Sequence, residues 1–181
     1  MKKNILLIGS SLLAAQLSGC ATHTIQPLSA FQAENLNSAI QSGQFVQKTQ
    51  SFLILHDASS SMSDAYPSAN ATNTKLDVER NLLNAFNLTI PKLDLQGGLR
   101  SFGFGPCTDW SQSLLKQALG PYQAADLQRT VQTLDCASGG TPLADALASS
   151  NQDLQTAPGN LALIVFSDGE DEMSPIPATQ A

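Results

Sequence analysis

The chain has 181 residues, 42% of them hydrophobic and only 13% charged, and a formal net charge of −6. This length holds one globular domain with flanking segments. An acidic chain without clustered Lys or Arg argues against nucleic acid as a partner and is compatible with binding a cation.

The N-terminus opens with the positive Met1-Lys2-Lys3, followed by the apolar ILLIGSSLLAAQL. That run is too short to span a bilayer comfortably, so it predicts a cleaved signal peptide over residues 1–19 rather than a transmembrane anchor. Its end, Leu17-Ser18-Gly19-Cys20, resembles the bacterial lipobox, in which the cysteine is acylated and becomes the new N-terminus. The alternative is an ordinary signal peptide with a chance cysteine. Ala21 follows Cys20, with no aspartate resembling an inner-membrane retention signal. The resemblance therefore implies a lipid anchor in the outer membrane, facing the periplasm. Loss of Lys2 and Lys3 with the leader leaves 15 acidic against 7 basic side chains, a net charge of −8.

Residues 20–49 are polar and read as a tether, with a short amphipathic helix at FQAENLNSAI (31–40). The folded domain is expected over 50–181. FLIL (52–55) is an apolar run without helical period, hence a buried strand. It empties into Asp57 and three serines, then into a turn-rich segment, 63–74. KLDVERNLLNAFNLTI spaces Leu76, Leu83 and Phe86 as a helix, stopped by Pro91. GGLRSFGFG (97–105) reads as a strand, with 111–119 as the other arm of a hairpin. Pro121 opens a helix over 121–134, where Leu127, Val131 and Leu134 share a face. A further helix spans 141–154, with Thr141 as N-cap and Pro142 as first helical residue. LALIVF (161–166) is continuously apolar, as in a central parallel strand covered on both faces. This alternation of strands and helices predicts an open α/β sheet.

In such sheets ligands bind beyond the carboxyl ends of the strands. The loop after the first strand offers Asp57, Ser59 and Ser61; the loop after 161–166 offers Asp168; Thr141 starts the intervening helix. Five oxygen side chains can converge there, a donor set suited to a hard cation such as Mg²⁺. Singly, each is an ordinary turn or capping residue. The glycines of SGGT let the backbone turn tightly beside such an ion. His56 reads as packed beside this site rather than as a ligand. Glu170, Asp171 and Glu172 read as a solvated loop, and Trp110 as packing around the hairpin.

HDASSSM, SGGTPLADAL and IVFSDGED together resemble the three segments of the metal-ion-dependent adhesion site of a von Willebrand factor type A domain. The resemblance covers about residues 50–172, and KLDVERNLLNAF fits the family's first helix. It implies a Rossmann-like, mostly parallel sheet with helices on both faces. It also implies a Mg²⁺ or Mn²⁺ site formed by Asp57, Ser59, Ser61, Thr141 and Asp168, with the aspartates often acting through water. Such an ion stays electrophilic and accepts a carboxylate from an envelope or secreted protein partner. Two departures stand out. Residues 63–74 intervene before the first helix, and only 13 residues follow Asp168. The family fold continues with further strand and helix units, so the resemblance implies a domain truncated at its C-terminus, the alternative being that the strand leading to Asp168 is an unusually exposed edge. Envelope proteins of this look often continue into an OmpA-like peptidoglycan-binding domain, of which no residue here gives a sign.

With Cys20 taken by lipid, Cys107 and Cys136 remain as an even pair in an oxidising compartment. The predicted topology brings both to the carboxyl edge of the sheet, where a disulfide would brace the loop presenting Thr141. Two buried free thiols are the alternative. The function expected is a metal-dependent binding module, not an enzyme: there is no G-x-S-x-G elbow, P-loop or zinc motif. The competing readings are an outer-membrane-to-cell-wall tether with a vestigial metal site, and a serine hydrolase using His56 with a nearby serine.

Overall fold

A computed structural model describes residues 33–67, 73–169 and 173. The organising element is strand β1, Ser51–Asp57, every residue of which is buried. It is flanked on both sides by parallel partners: β2, Gln96–Phe102, paired from Ser51↔Gln96 to Asp57↔Phe102, and β4, Leu161–Phe166, paired from Ser51↔Leu161 to His56↔Phe166. Strand β3, Ser113–Pro121, runs antiparallel to β2. The result is an open, mixed, four-stranded α/β sheet in the order β3-β2-β1-β4.

Burial of both faces of β1 explains its unbroken apolar sequence. Phe52 and Ile54 point to one face and pack with Leu83 of helix α2 (Lys75–Thr89) and with Leu127 and Val131 of helix α3 (Ala124–Gln132). Leu55 points to the other, with Phe102 and Ala146 of helix α4 (Leu143–Leu154). Burial of each such side chain stabilises the fold by roughly 1.5–3 kcal/mol. Helix α2 begins at a capping box: Thr74 Oγ1 accepts from Asp77 N at 3.1 Å, and Asp77 Oδ2 accepts from Thr74 N at 2.9 Å. It ends at Ile90, whose extended backbone is what the following Pro91 demands.

Three expected boundaries differ. Pro121 does not open α3; it closes β3, opposite Gln96, on an edge strand where a missing N–H is tolerated. Thr141 is not the N-cap of α4: Pro142 holds that position, with no side-chain capping bond, and the helix starts at Leu143. Strand β4, expected in the middle of a sheet, is its edge among the described residues, and Leu161 and Val165 are 45% and 43% exposed. Its apolar run packs Ala162, Ile164 and Phe166 against one core cluster and Leu163 against the other, and periodicity is blind to whether a strand has one neighbour or two.

Part of the expected tether lies against the domain. It contains helix α1, Leu36–Gln41, and Asn37 Oδ1 accepts from Lys92 N at 2.7 Å. Leu36, Ile40, Phe52, Ile90 and Ala162 line an apolar cavity of about 350 Å³ at the amino end of β1. No titratable group but Lys48 lines it, so it offers little chemistry.

Candidate metal centre

The carboxyl edge of the sheet gathers three loops. After β1 the chain leaves through Ala58 and Ser59 into a short 3-10 turn, Ser60–Ser63. Ser138 N donates to Ala58 O at 2.8 Å and Ser60 N to Gly139 O at 2.9 Å, so the loop before Thr141 is laced to the loop after Asp57. Gly139 makes this possible. Its φ is +85°, and a Cβ there would fall 1.9 Å from Phe104 O. Cys107, in the turn after β2, and Cys136 form a disulfide with Cα atoms 5.5 Å apart, as the sequence topology anticipated. Ser138 Oγ lies 3.0 Å from Cys107 Sγ, which, having no proton, accepts.

Four of the five expected ligands are linked directly or through one another. Asp57, the last residue of β1, is fully buried; its Oδ1 accepts from Ser59 N at 2.8 Å and its Oδ2 from Ser167 Oγ at 2.7 Å. Ser59 Oγ and Ser61 Oγ are 3.1 Å apart, and Ser61 Oγ donates to Asp168 Oδ1 at 2.8 Å. Thr141, 3% exposed, closes the group from the third loop: a Cβ on Gly169 would stand 3.8 Å from Thr141 Cγ2 and 4.0 Å from its Oγ1. Asp57 is thus no dispensable loop carboxylate. Its removal would strand two donors, at about 1–3 kcal/mol if they are buried.

Three participants escaped the sequence reading. Ser167 steers Asp57 and also accepts from Gly169 N at 3.2 Å. Lys75, the first residue of α2, places its ammonium on Asp168 Oδ2. Burial alone would raise the Asp168 carboxyl, but Lys75 and Ser61 together hold it below the ordinary carboxylate value. The hydrogen bond to Asp168 raises the Lys75 ammonium in turn. Glu79 of α2 reaches under the site to His56, Oε1 to Nδ1 at 2.8 Å, both side chains being buried. Burial pushes the Glu79 carboxyl up, and His56 offsets part of that. His56 therefore packs beneath the site, as expected, while the hydroxyls of Ser59 and Ser61 bond to each other and to Asp168.

Trp110 is not packed around the hairpin. It is 67% exposed and meets Phe104 edge-on, ring centroids 6.2 Å apart, beside the Gly140 bridge to Phe104. Cys20, the signal segment and Glu170, Asp171 and Glu172 lie outside the described residues.

Among the described residues, no three His, Cys, Asp or Glu side chains group closely enough to hold a metal. The cluster instead joins two carboxylates to hydroxyls, a donor set of hard oxygens alone. Among the described residues no basic side chain pairs with Asp57, a buried carboxylate held only by two neutral donors. A buried carboxylate whose hydrogen-bond partners are all neutral is well placed to face a cation. The residues fit a Mg²⁺-like ion on both counts.

No family model matches the chain, and no curated protein matches it. Among solved structures the fold is similar to that of the PilB minor pilin from Streptococcus sanguinis, with a TM-score of 0.52 and 16% sequence identity. The likeness covers 69% of this chain and 31% of the pilin, so the chain spans about a third of that protein's length. At such identity it establishes similarity of fold alone.

Proposed function

We propose that the chain is a lipid-anchored binding module of the cell envelope, of the von Willebrand factor type A class with its Rossmann-like sheet. In this reading Asp57, Ser59, Ser61, Thr141 and Asp168 hold Mg²⁺ or Mn²⁺. The bound ion would supply an electrophilic position for a carboxylate of a protein partner. The observation that carries the reading is the meeting of three sequence-distant loops at the carboxyl edge of the sheet, beside a buried Asp57 whose side-chain partners are neutral. Cys20 would anchor the module in the outer membrane on its periplasmic face, a reading that rests on the lipobox resemblance alone.

One observation favours the competing reading, an envelope tether with a vestigial site: a protein cation, Lys75, already occupies Asp168. Calorimetric titration with Mn²⁺ separates the two. Measurable binding, lost in Asp57→Asn, is expected for the module. Asn keeps one acceptor oxygen, so the fold survives while the negative charge goes. Binding unchanged in this variant, or no heat with the unmodified chain, sinks the adhesion-site reading.

A further inference from the structure

Lys75 stands at the positive end of a helix dipole, where a cation is electrostatically misplaced. Its ammonium nevertheless pairs with Asp168 Oδ2 and lies 3.6 Å from Asp64 Oδ2. The backbone holds it there. Lys75 N donates to Asp64 O at 2.9 Å, Tyr66 N to Asn73 O at 2.9 Å, and Ala65 bridges Thr74 in antiparallel fashion. The polar segment after β1 therefore folds back on itself and delivers the start of α2 to the candidate metal centre. With Ser61 on Oδ1 and Lys75 on Oδ2, both oxygens of Asp168 are engaged, one of them by a positive charge.

We propose that Lys75 is a tethered counter-cation that competes with a divalent metal for Asp168 and so sets the site's metal affinity. The inference rests on the cation-site reading above. An ammonium and a dication a few ångströms apart repel, so both cannot share one carboxylate at full strength. Because the lysine is part of the same chain, it competes at a high effective concentration. The apparent metal affinity is lowered by the fraction of molecules in which the lysine occupies the site. Asp64, with its side chain 65% exposed, provides a partner for the ammonium when metal displaces it. Arg100 is committed to Asp153 on the α4 face and His56 to Glu79 beneath the site, so neither takes this part.

The test is a titration of the full chain with Mn²⁺ alone, read by calorimetry and by the electron paramagnetic signal of free Mn²⁺. Lys75→Gln is compared with the unmodified chain and with Lys92→Gln, which removes the same charge beyond the other end of α2. Lys75→Met serves as a second variant should the first fold poorly. Mn²⁺ binding at least about tenfold tighter in the Lys75 variant, with Lys92→Gln unchanged, supports the proposal. Equal affinities for all three, or an equal gain in both lysine variants, overturn it and leave the metal site standing. Absence of binding in every protein, Lys75→Gln included, overturns the metal-site reading and this inference with it.

Discussion

On the β3 flank of the sheet the chain is closed by a disulfide and a largely covered ion pair, whereas on the β4 flank it is held without a covalent tie, by a backbone ladder, side-chain hydrogen bonds and the Lys75–Asp168 ion pair. The Cys107–Cys136 disulfide joins the turn after β2 to the Thr141 loop. Below it, Arg100 of β2 clamps Asp153 of α4, Nε to Oδ2 at 2.7 Å and Nη2 to Oδ1 at 2.9 Å, and Nη1 donates to Ser113 Oγ of β3 at 3.0 Å. Strand β4, by contrast, has one strand neighbour among the described residues, β1, and its outgoing loop meets the rest of the site through Ser61, Lys75 and Asp57. The candidate site thus straddles a stiff half, which presents Thr141, and an adjustable half, which presents Asp168.

The sharpest way to break the comparison is to unstaple the stiff half. Cys107→Ser with Cys136→Ser opens a loop of sequence separation 29. The chain-entropy model gives a loss of about 3–4 kcal/mol in the unfolding free energy extrapolated from urea titrations, with a steeper slope because the opened unfolded chain exposes more surface. A loss below about 1 kcal/mol would mean that hydrogen bonds, not the disulfide, hold the Thr141 loop.

The clamp ranks next. Arg100 and Asp153 side chains are 13% and 17% exposed, so Arg100→Met leaves a largely covered carboxylate without its partner, at about 2 kcal/mol. Replacing both, Arg100→Met with Asp153→Leu, should recover most of that loss, because no charge is then stranded. Failure of the pair to recover would show that the ties to Ser113 and β3, rather than the ion pair, matter.

Much of this frame was legible in the sequence, and the exceptions share a cause. β1 and β4 follow from unbroken apolar runs and α2 from helical spacing, and Asp57, Ser59, Ser61, Thr141 and Asp168 from position at strand and helix ends. Lys75 was missed because its partner, Asp168, is 93 residues away. The hint was a lysine at the wrong end of a helix dipole. Ser167 carries no signal of its own in the sequence, and only the register of β4 against β1 aims it at Asp57. Pro121 misled because a proline suits both the first turn of a helix and an edge strand. Thr141 misled for a related reason. Thr-Pro scores as a capping pair, yet Pro142, at φ −83° and ψ 63°, is itself the cap and frees Thr141 for the site.

The smallest expected effect probes the adjustable half. Its helix entry is fixed by the Thr74–Asp77 capping box, which orients the first turn of α2 and with it Lys75. The Thr74 backbone amide, followed by its hydroxyl, holds the Asp77 carboxyl below its ordinary value of 3.8. A depressed folded-state value means the unfolded chain binds the proton more tightly. The contribution is therefore complete above the unfolded value and is lost as pH falls through the folded one. Asp77→Asn should cost about 0.5–1 kcal/mol at neutral pH, the scale of a capping contact and of a carboxylate at a helix N-terminus. The gap to the unmodified chain should persist down to about pH 5, begin to narrow near the ordinary value of 3.8, where the unfolded chain takes up its proton, and close only at the lower pH where the native carboxyl is protonated as well. Urea titrations at several pH values measure the gap, and amide exchange in the first turn of α2 assigns it to that end of the helix. The disulfide variant serves as the contrast, since its loss carries no such acid dependence. A gap for Asp77→Asn that stayed constant from pH 7 to pH 3 would mean that the helix entry is held by packing of Leu76 and Val78 rather than by charge, and that the β4 flank is stiffer than its contacts imply.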